Sequence, residues 1–340
     1  MVRQRPPSPR GSTSTCSGRY ERRPAAPKAL GPAVRSTEGR PVSTSASRLR
    51  ALLKEPGILA VPGAHDGVSA RIAEQAGFSA VYLGGNALGI SLAVGQPLLT
   101  LTETADCSTR IVRTTPCPLI VDAGAGFGSV AQVHRTVREI ESTGAAALHI
   151  DDQPYPKSVD YHRGKGGLVD LSEAAARIEV AVKARQHPDF MVIARTDVYR
   201  ATGDVEQLAR RCKAYAQAGA DALLLLDVED PAHLQRVRQD VPDLPLMWIG
   251  GVVPPVLSLQ QLEKAGFAAA LYPFNAIAAV VQSLTDLWAG LRESGRIDQA
   301  DDFLLRMRGG MSRLAGMQTY WDIEDALRDR RPLGSPQSLQ

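Results

Sequence analysis

The chain has 340 residues, 44% of them hydrophobic, enough to build a substantial buried core in one large domain or two small ones. Lys plus Arg outnumber Asp plus Glu by 39 to 36, but the excess sits in the first 50 residues, where Glu21 and Glu38 are the only acids; the rest is mildly acidic and offers no clustered cationic face for nucleic acid. Cys16, Cys107, Cys117 and Cys212 lack CxxC spacing and the density of a secreted disulfide scaffold, and no apolar run approaches the roughly 18 residues of a membrane span, which points to a cytoplasmic protein.

Residues 1–46 are rich in Pro, Ser, Arg and Gly and show almost no apolar periodicity, so they read as a disordered basic extension that cannot bury enough surface to offset chain entropy. An organelle transit segment is the alternative, although no amphipathic helix marks one. From Ser47 the sequence alternates short aliphatic runs with stretches of helical period. The runs are Ile58 to Pro62, Ala80 to Gly84, Leu119 to Asp122, Ala147 to Asp151, Met191 to Arg195, Ala222 to Asp227, Leu246 to Gly250 and Ala268 to Tyr272. Helical stretches between them include Ser69 to Ala76, Glu103 to Thr114, Val130 to Thr143, Ser172 to Arg185 and Glu206 to Ala218, several closed by a helix-stop glycine such as Gly77 or Gly266. Eight βα repeats in about 240 residues predict an α/β fold, a closed (β/α)8 TIM-type barrel over 47–315, with extra C-terminal helices after Asn275 and a fraying tail at 316–340.

In such a barrel the chemistry sits at the C-terminal ends of the strands. Reading those ends in order yields Gly84 and Gly85, Asp122, Asp151 and Asp152, Arg195 and Asp197, then Asp227. Converging carboxylates repel one another unless a cation or proton sits among them, and hard oxygen donors suit Mg2+ or Mn2+. Arg195 is placed to hold a substrate carboxylate by charge-assisted bonds, and Gly84 and Gly85 would let backbone N–H groups approach an oxyanion. Each residue has a structural alternative. Asp197 and Asp227 are also good helix N-caps, Arg195 also suits neutralisation of Asp197, and His149 in its apolar strand reads as a core residue. His65 and His162 fall in loops and stay open.

Six blocks in order then carry a family resemblance: Pro62-Gly63-Ala64-His65-Asp66-Gly67-Val68-Ser69-Ala70-Arg71 running on to Phe78; Tyr82-Leu83-Gly84-Gly85; Leu98 to Glu103; Asp122 to Gly128; Asp151-Asp152-Gln153 with Pro156-Lys157; and Ile193-Ala194-Arg195-Thr196-Asp197. Over residues 50 to 290 the chain resembles the isocitrate lyase/phosphoenolpyruvate mutase superfamily. That resemblance implies a Mg2+ enzyme acting on a small carboxylate, usually a tetramer whose eighth helix packs on a neighbouring subunit. It makes Asp122, with Asp151 and Asp152, the metal residues, Arg195 the carboxylate-binding arginine, Tyr82, Gly84 and Gly85 the wall around the substrate's oxygens, and Lys157 the start of a gating loop.

The departures fall in the chemistry. Gly124 stands where the family's second acid is expected, Gly95 and Gln96 occupy a stretch that normally brings another Asp, and Val159 sits at the position of the lyase cysteine. Valine cannot protonate an enolate, so another acid must serve; Tyr161 and His162 share that loop and become the candidates. The sequence therefore predicts a lyase or decarboxylase cleaving a C–C bond of a small 2-hydroxy or 2-oxo di- or tricarboxylate. Phosphorus–carbon chemistry and a non-catalytic ligand-binding barrel are the alternatives.

Overall fold

The computed structural model describes residues 44–163, 166–254 and 256–329. Nearly all of the basic extension, with its transit-segment alternative, and residues 330–340 lie outside them. The described residues open with α1 (Ser45–Leu52), whose N-cap Thr44 accepts from the Ser47 N–H, so helix lies already at residue 45, inside the 1–46 stretch expected to be disordered. Then follow β1 (Leu59–Pro62), α2 (Gly67–Gln75), β2 (Val81–Leu83), α3 (Gly85–Ser91), α4 (Leu101–Thr114), β3 (Leu119–Asp122), α5 (Val130–Ser142), β4 (Ala147–Ile150) and α6 (Leu171–Ala184). The second half comprises β5 (Met191–Thr196), α7 (Val198–Thr202), α8 (Val205–Gln217), β6 (Ala222–Leu226), α9 (Pro231–Asp240), β7 (Leu246–Ile249), α10 (Leu259–Ala265) and β8 (Ala269–Tyr272). Three helices close the chain: α11 (Asn275–Ser294), α12 (Asp301–Leu314) and α13 (Met317–Asp329).

All eight strands pair in parallel in the order β1-β8-β7-β6-β5-β4-β3-β2, and a single bridge between Gly63 and Tyr82 brings the two ends of the sheet together. This is the expected (β/α)8 barrel. Each strand lies within a residue of its predicted bounds because its ends are marked by helix caps: α2 by Asp66 with Ser69, α4 by Thr100 with Glu103, and the exit from α2 by Gly77 in the left-handed region at φ +93°.

Strand alternation divides the apolar residues into two layers. Val61, Tyr82, Ile120, Ile193, Leu224, Met247 and Leu271 fill the barrel interior, whereas Val121, Leu148, Ile150, Val192, Leu223 and Trp248 pack outward against the helices. Helix α1 plugs one end: Ala46 and Leu49 join the interior layer, and Arg50 reaches Asp221 at 2.7 Å. One expectation needs correction. Residues 317–329 form a helix, not a fraying tail, because the helix-breaking Pro332 lies beyond Asp329 and Met317, Tyr320, Trp321 and Leu327 carry an apolar period.

Candidate active site

The same alternation sorts the polar residues. Asp122 ends β3 on the interior face and is 5% exposed; its Oδ1 accepts the Gly124 N–H at 2.8 Å and its Oδ2 accepts the Gly85 N–H at 3.0 Å, with the Gln96 amide at 3.4 Å. His149 on β4 also points inward, 3.7 Å from Asp122, its Nε2 lying 2.8 Å from the Tyr82 hydroxyl. Burial pushes the His149 imidazole down to about 4, so it is neutral at physiological pH. Burial also opposes ionisation of Asp122, but His149, Lys157, Arg195 and the Gly124 N–H together outweigh it and hold the carboxyl well below its usual range.

Asp151 follows two residues after His149 on the same face. Its Oδ2 pairs with Lys157 Nζ at 3.0 Å, both groups buried. Although burial works against the ammonium, Asp151 and Asp122 raise the Lys157 pKa and keep it charged. Arg195 on β5 donates through Nε and Nη2 to Asp197, at 2.8 and 3.1 Å, and through Nη2 to the Tyr161 hydroxyl at 2.9 Å. Tyr161 in turn donates to Asp197 at 3.0 Å, and Lys157 sits 4.7 Å above its ring. Burial raises the Tyr161 phenol, which is therefore protonated at neutral pH.

Three expected roles change in the structure. Asp152 was expected to bind metal, but it is one residue out of phase with Asp151 and shares the outer face with Ile150. Its carboxylate accepts from Thr196 at 2.6 Å, Tyr215 at 2.9 Å, Arg211 at 3.1 Å and the Asp197 N–H at 3.0 Å, so it braces α8 and the end of β5. The Gly85 N–H, expected to face a substrate oxyanion, is donated to Asp122. Tyr82 lies fully buried beneath Asp122 and not on the cavity wall; a Cβ on Gly84 would come within 3.0 Å of the Tyr82 ring. Val159 is 71% exposed. The His162 side chain, the other acid candidate, lies outside the described residues.

The cavity beside Asp122 takes in Lys157, Gly85 and Gln96 together with the apolar Leu99, Phe127 and Tyr155. Phe127 and Tyr155 carry no sequence signal as site residues, because aromatics in loops are unmarked until the fold gathers them, whereas Gln96 stands in the stretch where the resemblance expects another Asp. His149 was legible, because period two places it on the face of Asp151.

Among the described residues no three His, Cys, Asp or Glu side chains are disposed to hold a metal ion. The donor set is nevertheless suited to a hard cation. Asp122 and Asp151 present carboxylate oxygens, and the facing charges, Asp122, Asp151 and Asp197 against Lys157 and Arg195, leave one negative charge unbalanced before any acidic substrate enters. At Gly124, φ +51°, an added Cβ would meet nothing within 4 Å, so the place of the missing second acid is open space.

A model of the phosphoenolpyruvate phosphomutase family matches residues 49–291. The chain belongs to that family. It is 35% identical to 2,3-dimethylmalate lyase of Eubacterium barkeri over 284 residues, covering 82% of this chain and 97% of that one. It is 31% identical to the chloroplastic carboxyvinyl-carboxyphosphonate phosphorylmutase of Arabidopsis thaliana over 335 residues, covering 95% and 94%. The fold superposes on phosphonopyruvate hydrolase, solved with oxalate and Mg2+, with a TM-score of 0.74 and 29% identity, covering 83% of this chain and 98% of that one. Relatives of this phosphomutase family include lyases, mutases and hydrolases, and this chain is an enzyme of that kind.

Proposed function

We propose that the chain is a Mg2+- or Mn2+-dependent lyase or decarboxylase that cleaves a C–C bond of a small 2-hydroxy or 2-oxo di- or tricarboxylate by way of an enolate. The observation that carries this reading is the buried excess of carboxylate, Asp122, Asp151 and Asp197 against Lys157 and Arg195. Asp122 and Asp151 would hold the cation, with the Gln96 amide beside Asp122. When bound there, the cation would polarise the substrate's oxygens and stabilise the negative charge that develops on them.

Arg195 is the carboxylate-orienting residue of this reading. Its Nη1 makes no hydrogen bond to a described residue, which leaves one arm of the guanidinium for the substrate. Tyr161 is the proton donor: when the C–C bond breaks, the electron pair left on the enolate carbon takes the phenolic proton, a role its protonated state and its place beside Arg195 support. His149, fixed by the Tyr82 hydroxyl, lies 3.7 Å from Asp122. A homo-oligomer and a cytoplasmic location belong to the same proposal, the first supported by the exposed apolar faces of α11 to α13 and the second by Cys107, Cys117 and Cys212, all of which are free thiols. No helix of the described residues is long and apolar enough to cross a membrane.

Incubation of the purified protein with Mg2+ and a panel of oxaloacetate, methylated malates, methylisocitrate and phosphonopyruvate, read by mass spectrometry and phosphorus NMR, tests the reading. Pyruvate or a paired carbonyl product supports it. Release of phosphate alone would move the enzyme to phosphorus–carbon chemistry, the second reading, which the long match to the phosphorylmutase favours.

A further inference from the structure

Asp227, the last of the carboxylates at the strand ends, caps no helix, since the N-cap of α9 is Asp230. It is a half-exposed residue whose backbone lies in the left-handed region at φ +58°, which aspartate tolerates better than most side chains. Its Oδ2 lies 3.5 Å from Arg200 Nε, an ion pair that ties the end of β6 to α7. Arg200 in turn places its guanidinium 5.8 Å from the centre of the Tyr161 ring. An arginine at that distance is attracted by the negative face of the aromatic ring.

The platform under Arg200 is firm. Val198 at the start of α7 is fully buried, and the Tyr199 ring rests against His233 of α9 with 5.0 Å between centroids. Tyr161, by contrast, borders a cavity that Gln153, Leu168, Asp197 and Arg200 also line, so among the described residues its ring meets space and not a packed wall on that side. Polar contacts hold it there: the hydroxyl on Arg195 and Asp197, and the ring under Lys157 and Arg200. Arg200 is the contact that α7 contributes.

We propose that Arg200 is a positioning residue for Tyr161: Asp227 holds its guanidinium over the phenol ring, and this clamp keeps the Tyr161 hydroxyl on Arg195 and Asp197. The inference rests on the reading of Tyr161 as the proton donor and adds the groups that keep it in place. Proton transfer depends on alignment of donor and acceptor, so a ring that tilts away loses turnover while the groups that hold the substrate stay as they are.

Hydrogen–deuterium exchange of the full chain, read on the peptide carrying Tyr161, tests the clamp without any substrate. Asp227→Asn keeps a residue suited to the left-handed backbone and removes only the charge, while Arg200→Met keeps an unbranched arm without its cation. In both, the Tyr161 and Arg163 amides, bonded to the Ser158 and Asp160 carbonyls, should exchange about two- to fivefold faster, the worth of one exposed cation contact, with the barrel strands exchanging as in the wild type. Arg200→Lys should restore most of the protection. Unchanged exchange in both variants, or a lysine variant no better than the methionine one, would overturn the assignment. Kinetics on the substrate found by the product screen report separately on the chemistry: kcat should fall by about the same factor with KM held, because Asp122 and Arg195 are untouched. A rise in KM at constant kcat would overturn positioning and make Arg200 a substrate contact. Faster exchange at unchanged kcat would leave the clamp standing and remove Tyr161 as the proton donor.

Discussion

Asp151 and Asp152 are neighbours in the chain with opposite fates, since one turns into the barrel to meet Lys157 and the other turns out to meet Arg211, Thr196 and Tyr215. Asp152→Ala should therefore cost stability: removal of one partner from a buried ion pair leaves Arg211 uncompensated and costs about 3–5 kcal/mol, which urea unfolding would register as a lower midpoint. Loss of Mg2+ affinity without loss of stability would show that Asp152 faces the site after all. Asp122→Asn keeps one oxygen to accept a backbone N–H and should leave the fold intact by circular dichroism while turnover falls about 10²–10³-fold. In Tyr161→Phe the donated proton is lost, and kcat should fall by about 10²–10⁴; an unchanged kcat would remove Tyr161 from the mechanism. Among the described residues no cysteine lines the cavity, and burial pushes the Cys107 thiol up to about 11. Iodoacetamide at pH 7.5 should leave activity intact, while labelling of Cys107 should rise with pH toward 11 as the thiolate forms. These residues were legible in the sequence to the extent that parity is legible. Period two alone would have sent Asp152 outward and His149 inward, whereas the Gly85 N–H had no sequence signal to say that Asp122 would claim it.

The elements were readable wherever a local rule and the global fold agreed, as in β3, whose run of Leu119 to Asp122 ends at a polar residue, or α4, opened by the capping pair of Thr100 and Glu103. The stretch between β4 and α6 was not readable in this way. Tyr161 is tied there by Asp197 and Arg195, and Lys157 by Asp151, contacts more than 30 residues apart in the first case that no local pattern encodes. Helix α1 is the element whose role most exceeds its sequence signal. Leu49 is fully buried against the interior layer at the end of the barrel remote from the site. Leu49→Ala should destabilise the protein by about 2–5 kcal/mol, seen as a lower thermal midpoint, with kcat/KM little changed at temperatures where the variant stays folded. A comparable loss of activity in the folded variant would mean that the plug also shapes the catalytic end.

At the scale of the whole molecule, the barrel is saturated and the helices after β8 are not. Ile277 is the one residue of α11 that is buried, and α12 buries none. Leu284, Trp288, Phe303, Leu305, Tyr320 and Trp321 all stand exposed, Trp288 at 55%. Sequence periodicity revealed that α11 and α12 are helices but not that their apolar faces lack a partner, because burial is a property of the packed whole. We propose that this apolar surface is an interface, for which the self-complementary solution would be a second copy of the chain. Light scattering on the eluted full-length protein should give the mass of a dimer or a multiple of it. Since an aromatic anchor at the centre of an interface commonly contributes about 2 kcal/mol or more, the pair Leu284→Arg with Trp288→Glu should move the protein to monomer at micromolar concentration. Far-ultraviolet circular dichroism should stay at the wild-type value, because neither side chain belongs to the barrel core. A wild-type monomer at that concentration would leave the faces of α11 to α13 to some other partner, and a double variant that keeps its mass would place the interface elsewhere on the surface.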